Sequence, residues 1–264
     1  MRWTWIVLAM AVGCDKDPAE EGEDDTDTPA ETEETDTPSD TEETDTEEEP
    51  TTGQIQLVVS DFLTGAAVDG ATVTAMDQTA ETDAAGEALF NLPPGDRFAM
   101  EVTAEGVVPI RFEHGPVTAG MAQRTSAQVV SEDTLTLLSG GLGIPIDPSK
   151  GHLIVQISGV VVDDNKFDSE DGIVGASVSI SANASVSLVE DANPLGFAPG
   201  NTVALAGARG IVVFVNVDPG EVTLTRTLPG GETCGLTYGV ITGAVYDDVQ
   251  VRAGAFTNAA YYCY

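Results

Sequence analysis

The chain is expected to be all-β: two antiparallel β-sandwich modules in tandem, joined by a short helix and preceded by a disordered acidic tether. Three observations predict this. Short apolar runs of period two, broken by Gly, Pro and Asp about every ten residues, fill the sequence from Gln54 onward. An ordered set of residues in the first half recurs in the second. Before Gln54 lie only an apolar start and a low-complexity acidic tract, which cannot bury enough surface to fold.

At the start, Arg2 precedes the apolar run Trp3–Gly13, followed by Cys14 and charged sequence. Eleven residues are too few to span a bilayer core, which needs about 20, so residues 1–13 read as an export signal. Ala11-Val12-Gly13-Cys14 resembles the lipobox of bacterial lipoproteins, with Ala11 where that family usually has Leu. The resemblance implies cleavage before Cys14 and its acylation, making the membrane a partner through lipid. Ala9-Met10-Ala11 offers a competing A-x-A cut that would leave the protein secreted with a free thiol. The expected location is the cell envelope: an anchored lipoprotein of the outer membrane or cell surface.

Residues 14–53 form the lipidated cysteine and tether. From Asp15 to Pro50 there are 19 Asp/Glu against one Lys, a net −18 of the chain's −34. Residues 51–264 hold 25 acids and 8 Lys/Arg, or −17. Fields of this sign exclude nucleic acid as a direct ligand. Both tryptophans, Trp3 and Trp5, lie in the signal, leaving the mature chain no Trp platform for sugars or bases.

The first module is expected over 54–130. Ile55, Leu57 and Val59 share one face, as do Ala88, Phe90 and Leu92, then Phe98, Met100 and Val102, then Val108, Ile110 and Phe112. Asp61-Phe62-Leu63-Thr64-Gly65 and Pro93-Pro94-Gly95-Asp96 supply turns. Val58–Asp61, Thr64–Val73, Thr82–Gly86 and Leu92–Gly95 resemble the carboxypeptidase regulatory-like family of transthyretin-type β-sandwich modules. That resemblance implies a transthyretin-like, Ig-like sandwich fold.

The second module, 152–264, repeats the order. Gly70-Ala71-Thr72-Val73 matches Gly175-Ala176-Ser177-Val178 at an offset of 105; Gly86, Phe90 and Pro94-Gly95 match Gly210, Phe214 and Pro219-Gly220 at 124. The difference, 124 − 105 = 19, is an insertion around 185–206. The connector, 131–151, contains an expected helix from Ser131 to a stop at Gly140, with Glu132 and Asp133 in its first turn. Cys234 and Cys263 form the expected disulfide, an even pair that leaves Cys14 for lipid.

The residues discourage an enzymatic reading. His114 and His152, the chain's two histidines, belong to no H-x-x-E or H-E-x-x-H arrangement and are expected as solvated strand-end residues. Some transthyretin-like modules are purine-pathway hydrolases ending Tyr-Arg-Gly-Ser; this chain ends Tyr261-Tyr262-Cys263-Tyr264. A candidate calcium loop runs from Asp163 to Asp171, with oxygen donors on Asp163, Asp164, Asn165, Asp168, Glu170 and Asp171. It departs from the EF-hand, with Phe167 fifth and no glycine sixth. No other cofactor is expected. The function read from the sequence is a noncatalytic, envelope-anchored interaction or structural module with an envelope protein or glycan as partner. The alternative is carbohydrate or peptide capture by the 185–206 insertion and the terminal tyrosines Tyr261, Tyr262 and Tyr264; an accessory hydrolase ranks last.

Overall fold

The computed structural model describes residues 50–163, 166–192, 196–237, 243 and 245–264. Contacts divide the chain between Thr46 and Glu47, and the described residues belong to the second unit. The signal, Cys14 and nearly all of the tether lie outside the described residues.

The first repeat comprises β1 (Gly53–Asp61), β2 (Thr72–Ala75), β3 (Gln78–Glu81), β4 (Glu87–Leu92), β5 (Phe98–Thr103), β6 (Ile110–His114) and β7 (Ala122–Val129). The alternation read from sequence is the observed burial: Ile55, Leu57, Val59, Phe90 and Leu92 face the core while their neighbours face outward. β1 pairs antiparallel with β4 and parallel with β7, and β3, β2, β5 and β6 form the opposing sheet. The Asp61 carboxylate accepts from Leu63 N, Thr64 N and the Thr64 hydroxyl, closing the turn that Gly65 exits at φ +68°.

After α1 (Glu132–Leu142) the second repeat runs through β8 (Gly151–Asp163), β9 (Lys166–Gly172), β10 (Ser177–Ile180), β11 (Val186–Glu190), β12 (Phe197–Pro199), β13 (Ile211–Val217), β14 (Gly220–Thr227), β15 (Cys234–Leu236), β16 (Asp248–Val251) and β17 (Phe256–Cys263). Its wiring copies the first. β8 pairs antiparallel with β13 and parallel with β17, and β10, β14 and β16 form the second sheet. The repeat offsets mark structural counterparts. Val59 N donates to Gly86 O at 2.7 Å and Ile157 N to Gly210 O at 3.0 Å. Gly86 (φ +76°) and Gly210 (φ +73°) each leave no room for a side chain, since a Cβ would lie 2.4 Å from Val59 O or 2.2 Å from Ile157 O. The 185–206 insertion supplies β11 and β12, which extend the sheet beyond β13.

The two repeats do not stand as separate sandwiches. β17 pairs with β8 along all eight of its residues and, on its other edge, parallel with β6 over Phe256–Ala259 against Ile110–Glu113. Phe256 N also donates to Pro109 O at 2.9 Å. One continuous sheet therefore crosses both repeats. Its second-repeat strands are covered on both faces. Ile154, Val213, Val215 and Phe256 pack with the first repeat and the connector; Leu153, Val155, Val212 and Phe214 pack with Val178, Val222, Leu224 and Val249. Every residue of β13 and β17 is buried.

α1 is capped as expected by Ser131, whose Oγ accepts from Thr134 N at 3.1 Å, but it runs past the predicted stop at Gly140. Gly143, at φ +67°, ends it, with its N–H bonded to Ser139 O. The extra turn lets Leu142, Ile144 and Ile146 join the core with Leu135 and Leu138. Asn216, at φ +55° in a β13 bulge, ties this connector down. Its side chain accepts from Asp147 N (2.9 Å) and donates to Pro145 O (2.8 Å) and Ser185 Oγ (3.1 Å).

Candidate functional site

Charge gathers where the repeats meet. Of the 8 Lys/Arg in residues 51–264, four (Arg97, Arg111, Arg209 and Arg252) line this seam. Glu113 on β6 is the centre of one cluster, with its side chain only 2% exposed. Its Oε2 accepts from Arg97 Nε (3.2 Å) and Nη2 (3.0 Å), and its Oε1 from Arg111 Nε (2.8 Å) and the second-repeat amide of Gln250 (3.4 Å). Arg252 reaches across to Glu101, which also takes Arg111 Nη1 at 3.5 Å. Arg97 lies over the Tyr246 ring, 5.7 Å from its centroid. A buried carboxylate held by two guanidinium groups is tolerated because each lone pair has a donor.

The second cluster is built on Arg209. It donates to Glu190 (2.8 Å), Phe62 O (2.9 Å) and Gln128 Oε1 (3.2 Å), and lies over the Phe62 ring, itself stacked on Phe197 at 5.4 Å. It thus joins the insertion to both repeats.

Between the repeats a cleft of about 240 Å³ opens beside the first cluster. It is lined by Arg97, Phe98, Arg111 and Glu113 on one side and Glu221, Asp248, Val249 and Gln250 on the other. Of these residues the sequence reading names only Phe98, as part of the alternation Phe98, Met100 and Val102. Arginine scarcity in an acidic chain was the available signal.

The predicted candidates are placed differently. His114 and His152 are not solvated: they are 0% and 2% exposed, and burial holds both imidazoles down at about 4, outweighing for His114 its bond with Gly115 O. His114 Nδ1 lies 2.9 Å from Gly115 O, and His152 Nδ1 accepts from Asn216 N at 3.3 Å. Phe98 and Phe256 flank the two rings at 4.9 and 4.7 Å. Strand ends expected to be wet are covered instead by side chains of the same repeat, Phe98 over His114 and Phe256 over His152.

The tyrosine face is corrected as well. Tyr261 (0% exposed) and Tyr262 (6%) are interior because β17 is a central strand; Tyr264 alone of the three is open, at 66%. Tyr261 donates its hydroxyl to Tyr246 O at 2.8 Å and lies under Arg226, and burial raises its pKa above the usual tyrosine range. The insertion likewise sends Leu188, Phe197 and Val203 into the core.

Cys234 and Cys263 are bonded and directly opposed across β15 and β17. The candidate calcium stretch is a hairpin in its backbone, with Asp163 opposite Lys166 and Asp168 opposite Val161. Asp164 and Asn165 lie outside the described residues, as do the side chains of Asp163, Asp168 and Glu170; Asp171 is exposed. Among the described residues no three His, Cys, Asp or Glu side chains converge as a metal centre would need.

No family model matches the chain, and no curated protein matches it. Among solved structures it is similar to the TIE protein of Bacillus anthracis (15% identity, TM-score 0.26, 81% of this chain) and spans about a third of that protein, 34%. It is also similar to the minor pilin of Streptococcus agalactiae (11%, TM-score 0.27, 80% of this chain and 95% of that) and to the shaft pilin of Lactobacillus rhamnosus GG (11%, TM-score 0.24, 81% and 98%). At these TM-scores the fold rests on the strand ladders described above, not on the likeness.

Proposed function

We propose that this is a noncatalytic lipoprotein that holds a rigid double-repeat β body away from a membrane by the acidic tether, through an acyl anchor on Cys14. The observation that carries the rigid body is the sharing of β17 by β8 and β6, sealed by the Glu113 and Arg209 clusters. A body that resists bending suits presentation and load transmission at a surface. The composition of Asp15–Pro50, 19 acids against one Lys, supports the spacer role: a flexible chain of 36 residues would span roughly 33 Å, and like charges within the ~8 Å screening length favour more extended forms. Among the described residues no helix is long and apolar enough to cross a membrane.

Lipidation is tested by intact mass of the native protein and by fractionation. A Cys14→Ala variant is expected to move from the membrane to the soluble fraction, and the wild-type N-terminus to carry acyl mass. An unmodified N-terminus at Val12 would remove the anchor from this reading. The carboxypeptidase regulatory-like kinship belongs to the same proposal, supported by the turn residues and by the shared wiring of the repeats.

A further inference from the structure

The cleft at the seam has walls that carry charges of opposite sign and are joined by one hydrogen bond, from Gln250 N to Glu113 at 3.4 Å, but by no ion pair. Arg97 and Arg111 stand on the first-repeat side; Glu221 on β14 and Asp248 on β16 stand on the other, both exposed. The ion pairs among the described residues include none between these walls. Arg97 gives Nε and Nη2 to Glu113, and Arg111 gives Nε to Glu113 and Nη1 to Glu101. Arg97 Nη1 and Arg111 Nη2 therefore have no bond to a described residue, and the two side chains are 23% and 21% exposed. Opposite them Asp248 accepts the Thr223 hydroxyl at 2.9 Å, which leaves its second oxygen available.

We infer that this cleft binds a small zwitterion, a free α-amino acid or a dipeptide. Its carboxylate would lie against Arg97 and Arg111 and its ammonium against Glu221 and Asp248. Guanidinium edges match carboxylate geometry, and the acid wall complements a compact ammonium. Phe98 supplies an apolar part of the lining. The volume, about 240 Å³, is below the ~300–1,000 Å³ of drug-sized sites, which sets the ligand's size. Net charge argues for a zwitterion over a plain anion: the β region carries −17, a field that repels anions and leaves neutral ligands unaffected. A metal is disfavoured beside two guanidinium groups. The inference is independent of the lipid anchor.

The test is a two-dimensional amide NMR titration of the full mature chain with glycylglycine, and separately with acetate and with methylammonium. Saturable shifts are expected at Gln250, Val249 and Arg111, with acetate and methylammonium each binding at least about tenfold more weakly than the dipeptide. The double variant Glu221→Gln/Asp248→Asn, at two exposed positions, is expected to weaken glycylglycine by about tenfold or more. Three results would each overturn the inference: no saturable shift with glycylglycine, acetate binding as tightly as the dipeptide, or an unchanged affinity in the double variant. The acetate comparison uses wild-type protein, so it decides even if the variant misfolds.

Discussion

The two repeats share one wiring and differ in what lies outside it. In β4 the sequence alternates, and Leu89 is 54% exposed; its counterpart at the 124-residue offset, Val213 in β13, is 7% exposed. β7 alternates exposed and buried residues, whereas its equivalent β17 is buried throughout. An identical strand plan thus becomes an outer sheet in one copy and an interior sheet in the other. What decides between them is the second face: water over β4, the connector and first repeat over β13. Strands covered on both faces become nearly continuous in apolar residues, as Ile211–Val215 are.

The comparison can be broken most severely at the seam. Glu113→Ala leaves Arg97 and Arg111 facing a void and is expected to cost about 3–5 kcal/mol, read by denaturant unfolding. If the repeats were independent, the loss would be confined to the first. Reducing the Cys234–Cys263 bond, which spans a sequence separation of 29, is expected to cost roughly 3–4 kcal/mol. The exchange protection of β15 amides should fall with it, while β4 amides stay protected.

Acid should act on both repeats through their histidines. The folded-state pKa values of His114 and His152 are depressed to about 4 from 6.5, so the unfolded chain binds the extra protons. The stabilisation is complete above about pH 6.5 and is lost as pH falls toward 4, on the order of 2–3 kcal/mol per histidine. A melting temperature flat between pH 6.5 and 4 would refute it. Replacing both with Phe should flatten that part of the profile. The smallest and cleanest contrast is Val213→Ser against Leu89→Ser. The first is expected to cost about 2–3 kcal/mol by buried cavity and hydroxyl, and the second to stay within about 0.5 kcal/mol.

Much of this was legible before the structure. Period-two alternation found β1, β4 and β5, the Ser131 cap found the start of α1, and cysteine parity found the disulfide. The offsets Phe90 to Phe214 and Ala71 to Ala176 marked true counterparts, and the structure adds two bonds in equivalent places at other offsets. Gly120 N bonds Thr52 O at 3.0 Å, and Gly254 N bonds Lys150 O at 2.8 Å. What the sequence hid was the joint between the repeats and the depth of burial at strand ends. The pairing of β17 with β6 joins residues about 150 apart in the chain with no local signature. His114 and His152, expected at wet strand ends, and Tyr261, expected on an open face, are covered from within their own repeats: Phe98 lies against His114, Asn216 and Phe256 against His152, and Tyr246 and Arg226 against Tyr261. The signal that was present is loss of alternation: Ile211–Val217 and Phe256–Cys263 lack the polar face that an outer sheet requires.

The central claim, one sheet running through both repeats, is tested most directly by native-state hydrogen exchange at β6. If β17 pairs with it, the β6 amides from Ile110 to Glu113 exchange only through global opening, together with those of β17 and β8. If β6 is instead the free edge of a separate first module, its outward amides exchange rapidly while β17 remains protected, and the shared sheet is contradicted.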